Sequence, residues 1–425
     1  MMSQWVTGLG IQILGGLALA APLAGYVGRV WLGDATVLDT VLKPIERGLE
    51  RLFRIVPGNS QSWTSYALRL LALNAAAFAA VYLVFRLSEA SPGAAFRAAM
   101  GALTRTGLGV AAEGHGYGEP AIGLALAIRV FVGEGSSLAV ALVLARAVAG
   151  RGGVTIGNVW SDLIRNGLYV LGPGCGLLLA ALAIASVIAP SAAPIVLGTA
   201  VYGGRFACAL AFGRVCRAEL EGRALMWVMA LAAGPLAWLA AAAGDAGRPH
   251  GEGVFGALVA ATASGGGGPA VASLVIIALL AVCVEGLLVG RTPEYVGKRL
   301  GVREVKLAIL ASLALWGAIV AYSAVAAVAP AFVGAWSGPP AATWMGTTRY
   351  EDTTMIIALA IGRFGAMVPI LALAGSIAGA PRRTPTAGIA AAHDAGFVGL
   401  LTMMVLVFAA LRTLPALIIP GPGAG

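Results

Sequence analysis

The chain has 425 residues, of which 59% are hydrophobic and 11% charged, with a mean hydropathy of +0.89. A soluble globular protein carries roughly a quarter charged residues, so water is excluded as the solvent for most of this surface. The basic excess, 28 Lys+Arg against 19 Asp+Glu with a pI of about 9.8, raises nucleic acid as a partner, but the placement of those residues gives it another meaning.

A bilayer-spanning helix needs about 20 apolar residues. Ten such runs are expected, in chain order: Gly8–Gly28, Ser65–Phe85, Ile122–Ala145, Leu168–Ile188, Pro194–Gly213, Leu225–Ala243, Ala270–Gly290, Leu307–Phe332, Thr353–Ile377 and Gly396–Ile419. The fifth is the weakest, being interrupted by Gly203, Gly204 and Arg205. The runs are continuous rather than alternating every second residue, which excludes a membrane β-barrel. The expected fold class is therefore an all-α polytopic membrane protein, a single transmembrane domain over 1–425 with about ten spanning helices. The sixty glycines suit it, because small residues let helices approach closely in lipid. No basic residue precedes the first run, which reads as a retained helix and not a cleaved signal. Cys175, Cys208, Cys216 and Cys283 lie in or beside apolar runs and read as small buried residues. Three widely spaced histidines cannot build a metal cluster.

With the N-terminus outside, five connections face the cytoplasm, at about 29–63, 146–167, 214–223, 291–306 and 379–394. They hold Arg29, Lys43, Arg47, Arg51, Arg54, then Arg146, Arg151, Arg165, then Arg214, Arg217, Arg223, then Arg291, Lys298, Arg299, Arg303, Lys306, and finally Arg382 and Arg383. These are 18 of the 28 basic residues. The positive-inside rule orients the chain by this asymmetry, so both termini are expected outside. The basic pI becomes a signal of topology, and no nucleic-acid partner is expected.

Two outer connections have another character. In about 91–118, Ala94–Leu103 reads as a short helix dipping into the membrane, with Thr104–Gly109 returning as extended backbone. In about 253–269 the pattern recurs as Phe255–Ala261 followed by Thr262–Gly268, "TASGGGG". Non-helical backbone at membrane depth survives only where it is buried in protein or lines a wet cavity. A half-helix followed by a Thr/Gly-rich strand is how potassium channels present carbonyl oxygens to a dehydrated cation. The plain alternative is a glycine-rich surface turn.

Several strings carry a family resemblance. "GRTPEYVGKRLGVREVKL", Gly290–Leu307, closely resembles a cytoplasmic loop of the potassium-binding A subunit of the Kdp complex, a bacterial potassium-importing P-type ATPase. "IGRFGAMVPILALAGS", Ile361–Ser376, is similar to that subunit's ninth helix. "IGNVWSDLIRNGLYVLGP", Ile156–Pro173, and "AFGRVCRAELEGRALMW", Ala211–Trp227, resemble its second and third cytoplasmic loops. "TPTAGIAAAHDAGFVGLL", Thr384–Leu401, and the final "TLPALIIPGP" resemble its last segment. The resemblance implies four repeats of helix, pore loop and helix around one ion path in the inner membrane, and potassium as the bound ion. It also implies small accessory subunits and a catalytic partner that alone uses ATP. The A subunit takes potassium from outside and passes it to that partner. Nothing here resembles a P-loop or a phosphorylated-Asp motif, and Ser, His and Asp are too scattered for a triad. No catalytic residue is expected.

The filter candidates implied by the resemblance are Thr104, Thr106 and Gly107 in the first loop and Thr262, Ser264, Gly265 and Gly266 in the third. The chain departs from the family at this point. The first family filter reads Thr-Asn-Thr-Asn-Trp-Gln, and here Arg105 replaces the first Asn. A cation about 4 Å from an unpaired Arg loses on the order of 4 kcal/mol at an effective dielectric of 20. Arg105 therefore points away, pairs with Glu113 or another acid, or abolishes ordinary potassium binding. The second pore loop is missing, since only Ala189–Ala193 joins the fourth run to the fifth. The fourth filter finds no counterpart in Trp336–Thr354, where Pro339 and Pro340 oppose a pore helix. The family chain with some pore loops reduced or missing is thus either a working transport subunit or a relative that keeps fold and docking loops as a scaffold. A third class, an independent channel or secondary transporter, would conduct when reconstituted alone.

Ionisable groups inside spans are costly and often functional. Arg363 reads as a stabiliser of a carbonyl cluster or a hydrogen-bond anchor between helices. Arg129 and Glu134, five apart, are poorly spaced for an α-helical pair and read as a structural ion pair or a polar tunnel wall. Glu285 and Arg412 read as snorkelling residues. The basic loops suit anionic lipid headgroups or docking of the ATPase subunit.

Overall fold

The computed structural model describes residues 2–56, 58–88, 90, 92–104, 119–150, 155–189, 192–245, 267–290, 292–328, 349–382 and 394–418. Every one of the ten expected runs is a long helix, and seven are both long and apolar enough to cross a membrane among the described residues. Among the described residues the architecture is all-helical apart from one hairpin of two two-residue strands.

Helix α1 (Met2–Leu32) is followed by a helix absent from the expected runs, α2 (Asp39–Leu52), and then by the second span α3 (Trp63–Leu87). Ser62 caps α3 by accepting from the Ser65 amide. The buried positions of α3, Tyr66, Leu70, Asn74, Ala77, Val81 and Phe85, recur every three or four residues, the stripe expected of one packed helical face. Helix α4 (Pro92–Thr104) is the short helix expected after it. Its alanines Ala95, Ala98, Ala99 and Ala102 are fully buried against α3 and the start of the third span.

The third and fourth spans are each broken by a wide π-helical turn. The third consists of α5 (Glu119–Ile128), a π turn over Arg129–Glu134, and α6 (Gly135–Ala149). The fourth consists of α7 (Val159–Arg165), a π turn over Asn166–Leu171, and α8 (Gly172–Ile188). Its start lies nine residues before the expected Leu168. The Asn158 side chain, which accepts from the Trp160 amide, caps it in the polar loop beyond the apolar run. Much of the segment read as a loop, 146–167, is therefore helix. The fifth span follows at once as α9 (Ala193–Cys216), so no pore helix intervenes between α8 and α9.

Gly203, Gly204 and Arg205 do not interrupt α9. The helix runs through them because α1 lies against it, and a Cβ on Gly16 would come within 2.7 Å of the Tyr202 Cβ. On Gly198 it would meet the Gln12 amide group at 2.3–2.7 Å. Glycine here makes close approach possible, as in lipid-embedded helix pairs generally. The next connection is a tight turn with Arg217 in the left-handed region at φ 54°, after which α10 (Glu219–Asp245) folds back with Gly222 against Gly213.

Helix α11 (Gly267–Val289) leads into the hairpin β1 (Glu294–Tyr295) and β2 (Lys298–Arg299), then α12 (Val302–Val328), α13 (Arg349–Gly379) and α14 (Ala395–Ile418). Gly297 supplies one positive φ of the hairpin turn and Val296, at φ 50°, the other. Arg299 pairs with Glu294 at 3.2 Å across the strands. Lys298, 1% exposed, donates to the carbonyls of Ile377 at 2.9 Å and of Ala380. It thereby ties the hairpin to the end of α13, where carbonyls lack helical partners. Burial removes water from this ammonium, and with Arg382 nearby holds its pKa below the usual lysine value. Lys298→Met should destabilise the protein by about 2–3 kcal/mol, the worth of charged hydrogen bonds at buried acceptors. The thermal midpoint of the purified variant measures it, and an unchanged midpoint would show the hairpin to be passive.

The main core lies where α3, α6, α9, α11 and α13 meet. Cys208, Cys216 and Cys283 are buried, and Cys175 is half-buried.

Candidate functional site

The chemistry of this core centres on the π turn of the third span. A wide turn disturbs the regular α-helical ladder, and such turns are frequent at functional sites. Here the Gly133 carbonyl is taken by side chains. Ser137 Oγ donates to it at 3.1 Å, and Arg363 Nη2 donates to it from α13. The same Nη2 reaches Ser137 Oγ at 3.1 Å. On the other side, Asn74 Nδ2 of α3 donates to Ser136 Oγ at 3.1 Å and to the Leu70 carbonyl at 2.8 Å. Asn74, Ser136 and Ser137 are all buried. Three helices are thus linked through polar groups placed at membrane depth by their own spans.

Two atoms of this centre are buried without a hydrogen-bond partner, Asn74 Oδ1 and Arg363 Nε. Burying an unpaired polar group is costly, so the centre carries more polarity than packing alone explains. The start of α11 closes on the same place. A Cβ on Gly268 would fall 2.6 Å from the Leu138 nitrogen and 2.7 Å from the Ser137 carbonyl oxygen. Only glycine permits that backbone contact. Helix α4 also packs on the π turn and on α13.

Of the residues singled out in the sequence, Thr104 is the last residue of α4. Arg105, Thr106, Gly107, Thr262, Ser264, Gly265 and Gly266 lie outside the described residues, as do Glu113 and residues 336–348 and 383–393. Arg129 and Glu134 are the first and last residues of the π turn, both half-buried. Their five-residue spacing, awkward in an α-helix, is one turn of this wider one. Asn74, Gly133, Ser136, Ser137 and Gly268 were not singled out. Asn74 left a readable signal, being the one amide side chain inside the apolar run Trp63–Leu87.

A second polar network sits at the end of the bundle holding the 150–158 connection. Arg146 Nη1 pairs with Asp162 Oδ1 at 2.7 Å, and Tyr66 donates to Asp162 Oδ2 at 3.1 Å. Gln61 exchanges backbone hydrogen bonds with Ile156 and Gly157, the latter at φ 120°. The fourth span's π turn has its own side-chain partners. Tyr26 donates to the Tyr169 carbonyl at 2.7 Å and Trp31 to Asn166 Oδ1 at 3.1 Å. At this end of the bundle two of the expected loop cations are engaged by acids of other elements, Arg146 by Asp162 and Arg165 by Glu46 at 3.4 Å.

The sequence model of the family described as KdpA, the potassium-transporting ATPase A subunit, matches residues 11–200, 245–343 and 338–424. The chain belongs to this family. A relative from Beijerinckia indica is 30% identical over 94% of each chain. One from Caulobacter sp. strain K31 is 30% identical over 97% of each, and one from Rhodospirillum centenum 29% identical over 95% of this chain and 94% of its own. All three carry the name potassium-transporting ATPase potassium-binding subunit. The Beijerinckia alignment runs over 536 residues, longer than the 425 here, so this chain carries gaps in it. The family match breaks at residues 338–343, inside the stretch where no fourth filter was recognised. Residues 201–244, which include Ala211–Trp227, fall between matched blocks.

Proposed function

We propose that this chain is the potassium-binding and translocating subunit of an ATP-driven potassium import complex. It takes the ion from the outer side and passes it to an ATP-hydrolysing P-type subunit, with small accessory subunits completing the assembly. It lies in the bacterial inner membrane with both termini outside and the basic connections in the cytoplasm. The observation that carries the reading is a convergence. The first filter stretch leaves α4 at Thr104, and the third enters α11 at Gly267. Both helices rest on the third span at its π turn or within four residues of it. Family membership and the names of the relatives support potassium as the ion.

Filter oxygens then come from Thr104, Thr106 and Gly107 and from Thr262, Ser264, Gly265 and Gly266, since potassium is held by backbone and hydroxyl oxygens that replace its water. Arg363 and the half-buried Arg129 and Glu134 set the electrostatics beside them. ATP is used by the partner alone.

Potassium binding by the purified chain and potassium-stimulated ATP hydrolysis after assembly with a P-type subunit test this reading. Thr104→Ala and Gly265→Ala should each weaken binding roughly tenfold, about 1.4 kcal/mol. Binding indifferent to both substitutions, or failure to assemble with any such subunit, would overturn it and leave a scaffold.

A further inference from the structure

Helix α2 is amphipathic, yet none of its residues is buried. Of its acids, Glu46 turns toward the bundle. Glu46 accepts from Tyr169 Oη at 2.9 Å and pairs with Arg165, while Leu42 packs on the main core. Val37, Val41, Ile45 and Leu52, at helical spacing, point away and are 47–85% exposed. Lys43, Arg47, Arg51 and Arg54 line the adjoining sector, also exposed. An apolar stripe open on one side and a basic stripe beside it are the two faces of a helix lying in a bilayer interface.

The end of α2 adds a built feature. The Ile55 amide donates to the Glu50 carbonyl at 2.8 Å and the Arg54 amide to the Arg51 carbonyl at 3.2 Å. This is a Schellman cap, whose left-handed position usually holds glycine. Here it holds Arg54 at φ 49°, a conformation unfavourable for a side-chain-bearing residue. The turn brings Arg54 back beside Arg47 and Arg51, and the three line a cleft of about 350 Å³ with Glu50, Ile55 and Val56. Glu50 offsets one of the three like charges, and the cleft keeps a net positive charge that suits an anion.

We propose that α2 lies in the headgroup layer with Val37, Val41, Ile45 and Leu52 in the acyl boundary, and that the Arg47–Arg51–Arg54 cleft binds the phosphate of an anionic phospholipid. The site is separate from the ion path, and its readout does not depend on potassium. Each basic residue near a membrane surface is worth about fivefold in association. The test uses the full chain with Cys175→Ala, labelled through Val41→Cys with an environment-sensitive fluorophore. It is reconstituted in phosphatidylcholine vesicles with and without phosphatidylglycerol.

Nitroxide lipids should quench the label and aqueous iodide should not. The preference for nitroxide phosphatidylglycerol over nitroxide phosphatidylcholine should fall at least fivefold in Arg47→Gln/Arg51→Gln/Arg54→Gln. Excess inorganic phosphate should leave that preference in place. Iodide quenching would place the stripe in water, and shielding from both quenchers would place a protein over it. Either result overturns the proposal, as does an unchanged preference in the triple variant or its loss to free phosphate. The quenching of the Val41 label stands by itself if the triple variant does not fold.

Discussion

Gly268→Ala is expected to destabilise the protein by about 3 kcal/mol, and Gly268→Leu by more. The added carbon would sit 2.6 Å from both the Ser137 carbonyl carbon and the Leu138 nitrogen. Those are backbone atoms inside the most completely buried helix, α6, where Leu138–Ala145 is buried without interruption. No side chain can rotate aside, so one helix must move, and overpacking of this kind costs roughly 1–3 kcal/mol or more. Gly204→Ala is the control. Nothing lies within 4 Å of its added carbon, and helix propensity alone should make it neutral or stabilising by up to about 1 kcal/mol. Thermal unfolding of the three variants in one detergent separates the outcomes, and equal midpoints for Gly268→Ala and the parent would refute the contact. Under the proposed function this helix, which starts at Gly267, adjoins the third filter stretch, and the same variant should also weaken potassium binding.

Asp162→Ala should cost about 2–3 kcal/mol. Breaking a buried ion pair from one side leaves the other charge and its neighbours uncompensated, which ranges to roughly 3–5 kcal/mol for a fully enclosed pair. The Asp162 side chain is 4% exposed but Arg146 is 33% exposed, so water recovers part of the loss. Tyr66 loses its acceptor at the same time. The double variant Arg146→Ala/Asp162→Ala should be less unstable than the two single losses summed. A double-mutant cycle with a coupling energy near zero would mean that the pair contributes nothing beyond its separate members.

The long helices were legible because hydrocarbon demands an apolar run of fixed length, and seven of the described helices meet it in both length and apolarity. Their ends were less so. The fourth span begins at Val159 because Asn158 and the Arg146–Asp162 pair supply polar partners that a hydropathy window counts against a helix. Helix α2 escaped notice for a related reason. It is a helix of period 3.6 with charge on one face, and a search for continuous apolar stretches passes over it. The π turns are marked only by the polar residues Arg129, Glu134 and Asn166 at their ends, which betray a charge or amide in the span but not the wider winding. Arg363 was singled out because a charge within a span is conspicuous. Its partners Gly133 and Ser137 were not, because a carbonyl exposed by winding is invisible in sequence. The short passage from Ile188 to Ala193 was read directly from spacing.

The two wide turns divide their spans unequally, and in complementary senses. The third span is partly exposed before its turn and almost wholly enclosed after it, whereas the fourth is buried or half-buried through its turn and then exposes Leu177, Leu179, Ile184 and Val187. The two run in opposite directions through the sheet of lipid, so their enclosed halves share one leaflet. That leaflet holds a dense, cross-braced floor knit by Tyr26, Trp31, Tyr66 and Arg146, while the other has the exposed apolar side chains of α8. Bilayer composition should therefore act on this protein asymmetrically, with lipids of the sparsely packed leaflet serving as part of its structure.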